Sequence, residues 1–241
     1  MATRQGGRDM LIQEAKWFAK ALAEMDDSRI FPMLNVGSHT EDFRKEQQPW
    51  IDRYIFGPAR ERNQVVKHLD IRSGPGVDIV GDLTDQSFLK ELTMMEFKSI
   101  FSANLLEHVV NRREIARVIT SVVPVGGYVF ASCPFKFPYH ADPIDTMFRP
   151  NVSELAAMFP GTAIRRGAIV DCGSLVSYLV ARLCGHPGAF FLTLLRKGSR
   201  LSAPDGLASV RHLVPWTLRR FQETCLVLQK EAGGGMSRVV P

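Results

Sequence analysis

The feature that most constrains what this chain can fold into is a regular alternation of short apolar segments with amphipathic ones. Apolar runs predict strands at 31–38, 64–71, 77–82, 126–135, 162–171 and 221–230, and a further run at 97–109 begins as a strand and turns helical. Apolar residues at helical spacing predict helices at 9–25, 111–123 and 151–159. Strands that alternate with helices are typical of an α/β fold with a mostly parallel sheet.

One connection between these strands is short for a parallel pair. Only the residues IRSGPG separate Asp70 from Val77, whereas a parallel crossover usually needs about a dozen residues or more. Six extended residues reach roughly 20 Å at most. We therefore expect a bare loop, without a helix, between the second and third strands.

Length and composition are those of an ordinary globular domain. The 241 residues suit one domain with an appendage, and 45% of them are hydrophobic against 23% charged. The four cysteines have neither CxxC spacing nor a histidine at zinc-ligand spacing, so we expect no metal site, no disulfide framework and a reducing, cytoplasmic location. The N-terminal segment lacks the apolar stretch of a signal peptide, and no apolar run reaches the ~18 residues of a membrane span.

The net charge of +5 is concentrated in the C-terminal third. Residues 1–160 carry 19 Lys and Arg against 21 Asp and Glu, whereas residues 161–241 carry 11 against 4. A solvated surface explains such an excess, and the alternative is an anionic partner: a phosphorylated or carboxylated substrate, a lipid headgroup or nucleic acid. Aromatic residues do not interleave with the basic ones in any nucleic-acid motif, so we expect no nucleic-acid partner.

Polar and small residues follow the predicted strands at the edge where parallel sheets bind ligands. These strand ends carry Gly37, Asp70, Asp82 and Asn104. A glycine lets a ligand approach the backbone. Asp70 can accept from two ribose hydroxyls, Asp82 can accept from an adenine amino group, and Asn104 offers both a donor and an acceptor. Together these residues suit an adenosine ligand.

Each of these residues also has another explanation. Gly37 lies at a strand–helix turn, where glycine is common. An acid at the position of Asp70 also occurs in nicotinamide-binding folds. Asp82 can cap the helix that begins near LTDQSF. The combination is therefore more specific than any one of its members.

A longer series of motifs resembles a known family. In order along the chain, MLNVGS, HLDI, PGVDIVGDLTD, IFSANLLEHV and VPVGGYVFASCPF resemble the class I S-adenosylmethionine-dependent methyltransferases, in particular the small bacterial type-11-like enzymes. The similarity covers about residues 31 to 135. It is most specific at NLLEH (104–108) with the following PVGG (124–127). The resemblance implies a Rossmann-like, seven-stranded, mostly parallel sheet with helices on both faces and an antiparallel last strand, FQETCLVLQK.

The resemblance also implies S-adenosyl-L-methionine as the cofactor. The cofactor-binding residues that it implies are Asn35, Gly37, Ser38, Asp70, Ile71, Asp82, Leu83, Asn104 and Leu105. Gly37 would lie beside the methionine and ribose portion, and Asp70 would hold the ribose hydroxyls. Asp82 and the leucine after it would contact adenine. Asn104 and the leucine after it would line the floor near the sulfonium.

The loop after the first strand departs from the family pattern. An acidic residue followed by two or three glycines is usual there, whereas here Asn35 replaces the acid and SHT (38–40) follows a single glycine. The same loop argues against a nicotinamide fingerprint, which needs GxGxxG at this turn. Two alternatives therefore accompany the methyltransferase hypothesis: a non-catalytic methyltransferase-like scaffold or binding module, and a nicotinamide oxidoreductase.

Methyl transfer from a sulfonium is a direct displacement, so the protein mainly positions the reactants and excludes water. An oxygen acceptor also needs a base. The segment at 134–149 offers His140, Tyr139 and Asp142 as catalytic candidates, and His140 is the side chain there that ordinarily titrates near neutral pH. His140 can equally be a substrate or cofactor contact or a structural residue. We expect His108 to be structural.

Three further features each have more than one interpretation. Arg149 can pair with Asp142 or Asp145, or bind an anionic substrate. The aromatic stretch at 48–58 can pack in the core or form a wall over the cofactor or substrate. Residues 172–215 are expected to form a helical insert that suits an amphiphilic acceptor or contact with a membrane surface, with core packing as the simpler explanation.

We therefore expect one methyltransferase domain. It would comprise an N-terminal helix (1–30), a cofactor-binding core (31–171), the helical insert on the acceptor side (172–215), the last strand (216–230) and a tail (231–241). The expected reaction moves a methyl group to a small-molecule acceptor through an oxygen nucleophile, of sugar or secondary-metabolite type by family resemblance. The positive C-terminal third favours an anionic or amphiphilic acceptor.

Overall fold

Seven strands form one mixed sheet in the part of the chain that the structure describes. The computed structural model describes residues 10–140, 144–177, 180, 184 and 214–232. The strands are β1 (Met33–Val36), β2 (Val66–Asp70), β3 (Ile79–Val80), β4 (Ser99–Ala103), β5 (Tyr128–Lys136), β6 (Thr162–Ser174) and β7 (Arg220–Lys230). Their order in the sheet is β3-β2-β1-β4-β5-β7-β6.

Helices connect most of these strands. The α-helices are α1 (Ile12–Ala23), α2 (Asp27–Ile30), α3 (Pro49–Ile51), α4 (Gly57–Glu61), α5 (Gln86–Met94), α6 (Arg112–Val122) and α7 (Val152–Ala156). Two π-helical turns (Phe43–Gln47 and Asp52–Phe56) adjoin α3, and two 3-10 turns lie at Leu106–His108 and Val214–Thr217. The aromatic stretch at 48–58, for which we predicted no secondary structure, is therefore largely helical.

The pairing of the strands confirms the predicted sheet. The first five strands pair in parallel, and β7 lies antiparallel between β5 and β6. The antiparallel last strand was predicted at 221–230 and begins one residue earlier. The strand predicted at 162–171 is longer than expected, because β6 continues to Ser174. Most of the predicted helical insert at 172–215 lies outside the described residues, so that insert stays a prediction.

The short crossover from β2 to β3 is a loop, as expected from its length. The backbone N–H of Asp78 donates to the carbonyl of His68 over 2.8 Å, and the Asp78 carboxylate accepts from the His68 N–H over 2.8 Å. β3 itself has only two residues, fewer than the predicted 77–82. These two hydrogen bonds between Asp78 and His68 therefore attach the end of the loop to β2 without a helix.

Alternating side chains of the strands fill two cores, one on each face of the sheet. Leu34, Ile100 and Val129 pack with residues of α5, α6 and α7. Their neighbours Met33, Phe101 and Phe130 pack with α1 and the helical turns at 43–61. Because successive strand residues point to opposite faces, the same central strands pack against the helices on both faces of the sheet.

The described residues contain no helix that is both long and apolar enough to cross a membrane.

Candidate functional site

The candidate cofactor site lies where the order of the parallel strands reverses. From β1 the sheet extends to β2 and β3 on one side and to β4 and β5 on the other. Ligands of open α/β sheets bind beyond the strand carboxyl ends at such a switch point. Gly37, Asp70 and Asn104 follow or end β1, β2 and β4, so the fold brings three of the predicted residues to this edge.

The turn after β1 needs glycine for reasons of its own backbone and packing. Gly37 has φ of +69°, and a Cβ built there would lie 3.3 Å from Cδ1 of Leu105. A side chain at position 37 would therefore be strained and crowded before any ligand is considered. The close approach of Gly37 to Leu105 also joins the strand ends of β1 and β4 across the switch point.

The Asp70 carboxylate faces the loop after β1. Its Oδ2 accepts from the backbone N–H of His39 over 2.9 Å, and its Oδ1 accepts from the N–H of Arg72 over 3.1 Å. The imidazole of His39 stacks on Phe43 with ring centroids 4.3 Å apart. Asp70 is half-buried at the edge of the sheet. Its two hydrogen bonds attach the loop after β1 and the start of the crossover to the end of β2.

A buried arginine, Arg44, fastens the same loop. Its guanidinium donates to the carbonyls of Ser38, His39 and Gly76, and the side chain is almost wholly enclosed. Burial lowers the pKa of Arg44. Ser38, predicted as a cofactor residue, is buried, and its hydroxyl donates to the His39 carbonyl over 3.1 Å. The Arg44 guanidinium therefore fixes the conformation of the loop after β1, which has only one glycine.

Asn35, which stands where the family has an acid, faces a histidine. Its Nδ2 lies 3.0 Å from Nδ1 of His68, and Asn35 is buried. Burial, helped by the charge of Arg44, lowers the pKa of His68 to about 4. The imidazole is therefore neutral at neutral pH, and its Nδ1 accepts the hydrogen bond from the Asn35 amide.

The residues predicted to contact adenine differ in exposure. Leu83 is buried in the core, whereas Asp82 and Ile71 are exposed. The Asp82 carboxylate accepts from the backbone N–H and the hydroxyl of Thr84, both over 2.8 Å. The alternative role of Asp82 as the N-cap of α5 is wrong, because Asp85 accepts from the N–H groups of the first turn.

Asn104 is bonded to a charged residue that the sequence analysis did not single out. Its Nδ2 donates to Oε1 of Glu14 over 3.0 Å, and its φ is +52°. Glu14 is completely buried and also accepts from the hydroxyl of Ser132 and from the N–H of Leu11. The carboxylate of α1 therefore ties the N-terminal helix to the ends of β4 and β5.

A sequence signal for Glu14 existed, and one for Arg44 did not. Glu14 lies on the apolar stripe of its helix, three residues after Leu11 and four before Phe18, so helical periodicity alone places it facing the core. Arg44 lies in the polar segment EDFRKEQQ, where no apolar spacing indicates which side chain is buried.

The segment after β5 holds the predicted base in an ordered arrangement. His140 Nδ1 lies 3.0 Å from Oδ2 of Asp145, which also accepts two hydrogen bonds from Arg149, one to each oxygen. Burial alone would raise the pKa of Asp145, but hydrogen bonds from Arg149 and from the N–H groups of Met147 and His140 lower it to about 2. Asp145 is therefore ionised, and of the alternatives for Arg149 the structure shows the pairing with Asp145.

The remaining catalytic candidates lie close to His140 in sequence. Tyr139 is half exposed, and Asp142 lies outside the described residues.

Of the two interpretations of the aromatic stretch at 48–58, the structure favours packing in the core. Trp50 and Phe56 are buried beside α1. Trp50 additionally donates its indole N–H to the Met10 carbonyl over 2.6 Å.

Comparison with known proteins finds similarity in structure alone. No protein-family model and no curated protein sequence matches the chain. A structure assigned to a sarcosine dimethylglycine methyltransferase of Galdieria sulphuraria matches with a TM-score of 0.52 at 12% identity, over 90% of this chain and 85% of that one. Coclaurine N-methyltransferase bound to N-methylheliamine and SAH matches with a TM-score of 0.52 at 13% identity, over 95% and 75%.

A third similar structure shows that this fold is not restricted to one reaction. The (4+2)-cyclase SpnF matches with a TM-score of 0.50 at 13% identity, over 92% of this chain and 83% of that one. Identities this low support a shared architecture, and chemistry must be argued from the site. The chain therefore has the Rossmann-like fold of the class I S-adenosylmethionine-dependent methyltransferases.

Proposed function

We propose that this chain is an S-adenosylmethionine-dependent methyltransferase that acts on the oxygen nucleophile of a small molecule. The observation that carries the proposal is the meeting of the Gly37 turn and the Asp70 carboxylate at the switch point of a methyltransferase fold. A similar structure binds SAH. The same edge in this chain offers an acid at the end of β2 and a close backbone approach after β1.

The Asp70 carboxylate can accept from a ribose while keeping its present hydrogen bonds. Each of its oxygens accepts one backbone N–H, from His39 and from Arg72. A carboxylate oxygen has about two acceptor positions, so one remains on each oxygen for a ribose hydroxyl. The other proposed cofactor contacts are those implied by the family resemblance: Asn35, Gly37, Ser38, Ile71, Asp82, Leu83, Asn104 and Leu105.

His140 is the proposed general base. Its Nδ1 lies 3.0 Å from the Asp145 carboxylate and 3.4 Å from the Pro138 carbonyl. Because both of these oxygens are acceptors, we place the proton on Nδ1 and the lone pair on Nε2. In the reaction the acceptor oxygen bonds to the methyl carbon while the bond from that carbon to sulfur breaks and its electron pair stays on sulfur. The hydroxyl proton passes to Nε2 of His140. Tyr139 and Asp142 are the other residues proposed for this step.

Cofactor binding is tested first, by isothermal titration with S-adenosylmethionine, S-adenosylhomocysteine and NAD. We expect the first two to bind and NAD not to bind. Charge-assisted hydrogen bonds are worth roughly 1.5–3 kcal/mol each, so Asp70→Asn should weaken S-adenosylmethionine binding at least about tenfold. Asp171→Asn is the matched control, because Asp171 forms an exposed pair with Arg220 on β6 and β7. Binding of NAD, or equal affinity in Asp70→Asn, would contradict the proposal.

Transfer of the methyl group is a separate test, and it distinguishes an enzyme from a non-catalytic binding module. Labelled S-adenosylmethionine would be incubated with the chain and a panel of hydroxyl acceptors that includes sugars, anionic compounds and amphiphilic ones. We expect labelled product from at least one oxygen acceptor. Tight cofactor binding without transfer to any acceptor would favour the scaffold, and transfer only to amines would overturn the oxygen specificity.

A further inference from the structure

Three potential metal ligands converge at the ends of β4 and β5. Glu107 and His108 lie in the 3-10 turn after β4, and His140 lies in the segment after β5. One ligand atom from each of these side chains lies within 4.8 Å of the other two. The rings of the two histidines are perpendicular, with centroids 5.1 Å apart. Glu107, His108 and His140 are named here the His–Glu cluster.

The Nδ1 atom of each histidine lies beside an oxygen that can accept its proton. His108 Nδ1 lies 2.6 Å from the carbonyl of Ile144, and His140 Nδ1 lies 3.0 Å from the Asp145 carboxylate. An acceptor at Nδ1 places the proton there and leaves the lone pair on Nε2. Histidines that bind metals almost always donate their other N–H to a carbonyl or a carboxylate in this way.

The third ligand is a carboxylate removed from water. Glu107 is completely buried, and its Oε1 lies 3.8 Å from Nε2 of His108. Its Oε2 accepts from the thiol of Cys133 over 3.5 Å. The Nε2 atom of His108 is buried too, and among the described residues it has no hydrogen-bond partner.

One segment of backbone holds the ligands in place. Thr146 donates to the Glu107 carbonyl through both its N–H and its hydroxyl, each over 2.9 Å. The same segment supplies the Ile144 carbonyl to His108 and the Asp145 carboxylate to His140. Tetrahedral zinc with ligands at 2.0–2.1 Å separates them by about 3.3 Å. The separations in the structure are larger, 3.8 Å between Glu107 Oε1 and His108 Nε2 and up to 4.8 Å within the cluster, so the side chains would have to close around the ion.

We propose that the His–Glu cluster binds one divalent transition-metal ion, with zinc the best fit to two imidazoles and a carboxylate. The ligands are Nε2 of His108, Nε2 of His140 and the Glu107 carboxylate. Three protein ligands leave a fourth position for water or a substrate oxygen. The site uses none of the cysteines, whose spacing was the basis for expecting no metal.

The inference stands apart from the proposed methyl transfer, because binding of the ion is measured directly. It does bear on the role of His140. A bound ion would occupy the Nε2 atom that the proposed general base uses, and it would itself supply the means of lowering the pKa of an acceptor oxygen.

The experiment titrates Co²⁺ into the full chain, purified without a polyhistidine tag and stripped with a chelator. Visible absorption reports the ligands of the bound ion, and Zn²⁺ is then added as a competitor. We expect one Co²⁺ per chain, with the spectrum of nitrogen and oxygen ligands, and displacement by Zn²⁺. The proposal would be overturned if the chain bound no Co²⁺. It would also be overturned by a thiolate-to-cobalt charge-transfer band, which would assign the ion to cysteine.

Three variants separate a ligand from a structural residue. His108→Asn and His140→Asn keep a donor near the Nδ1 position and remove Nε2, and Glu107→Gln keeps the shape of the side chain. Each should weaken Co²⁺ binding at least about tenfold while circular dichroism stays that of the parent. His68→Gln, in β2 and bonded to Asn35, is the matched control and should bind as the parent does. Parental affinity in all the folded ligand variants would overturn the assignment.

Discussion

At the scale of single residues, the edge of the sheet is built from polar groups whose charge states are set by their surroundings. His68 is kept neutral by burial, whereas Asp145 is kept ionised by Arg149 and two backbone N–H groups. His68 belongs to β2, among the proposed cofactor residues, and Asp145 lies beside the proposed base, His140. Their protonation states determine which atoms donate and which accept on each side.

The first prediction concerns the pH dependence of stability through His68. Its pKa of about 4 in the folded chain lies below the ordinary histidine pKa of 6.5, so the unfolded chain binds the proton more readily. Stability from this group is complete above pH 6.5 and falls as the pH drops towards 4, by up to about 1.4 kcal/mol per pH unit. Urea unfolding between pH 4 and 7 should show a flatter profile for His68→Gln than for the parent. Identical slopes would mean that the neutral imidazole contributes nothing.

The second prediction concerns the proposed base. His140→Asn keeps a polar amide near Asp145 but removes the nitrogen that would take the proton, so turnover with an oxygen acceptor should fall about 10²–10⁴-fold. Affinity for S-adenosylmethionine should change little. Tyr139→Phe is the competing variant, since Tyr139 is half exposed beside it. A large loss in Tyr139→Phe with none in His140→Asn would transfer the role to the tyrosine.

At the scale of elements, the helix α1 covers the sheet and also contacts a residue of the candidate site. Its Glu14 reaches the ends of β4 and β5, where Asn104 and Ser132 donate to it. Phe18 of the same helix packs edge-on against Phe101 of β4, with ring centroids 4.9 Å apart. The position of α1 and the geometry of Asn104 are therefore coupled.

The third prediction measures this coupling. Glu14→Ala leaves the Leu11 N–H, the Asn104 amide and the Ser132 hydroxyl without their buried acceptor, which should cost at least about 3 kcal/mol of unfolding free energy. Glu24→Ala, at the C-cap of the same helix, breaks only an ion pair with Arg166 and should cost less than about 1 kcal/mol. Chemical denaturation compares the two, and equal losses would show that the buried contacts of Glu14 are not stabilising.

At the scale of the whole molecule, one sheet carries both the proposed cofactor residues and the His–Glu cluster. The parallel strands β1, β2 and β4 present the proposed cofactor residues, and β4 and β5 present the His–Glu cluster. The segment after β4 contributes to both, with Asn104 on one side and Glu107 and His108 on the other. A ligand that orders the switch point therefore acts on the central strands, which belong to both hydrophobic cores.

The fourth prediction follows from that arrangement. A ligand present at 100 times its Kd stabilises the folded state by about 2.7 kcal/mol. For a chain of this length that corresponds to a rise in Tm of roughly 5–10 °C. Differential scanning fluorimetry should show this rise with S-adenosylmethionine and S-adenosylhomocysteine, and none with NAD. A rise with NAD alone would favour the oxidoreductase alternative.

The local pattern of residues predicts the strands well and their ends less well. Strands of the sheet lie within the apolar runs predicted at 31–38 and 64–71, while the run at 162–171 was too short because β6 continues by pairing with β7. Pairing partners far away in sequence decide where a strand ends, and local periodicity does not contain them. The interpretation of Asp82 as the N-cap of α5 is wrong for a related reason. Asp82 and Asp85 both precede the helix, and only the three-dimensional structure shows that Asp85 accepts from the N–H groups of its first turn.

By itself the sequence determined the α/β class, the short β2–β3 loop and the residues at the ends of β1, β2 and β4, because hydrophobic periodicity and chain length are local properties. Only the tertiary structure decided which side chains meet. Ser132 donates to Glu14 across 118 positions of sequence, and Arg44 reaches Gly76 across 32. His108 and His140 likewise meet only because β4 and β5 pair in register. Such contacts depend on strand order and on the burial of particular polar atoms, which no local pattern in the chain encodes.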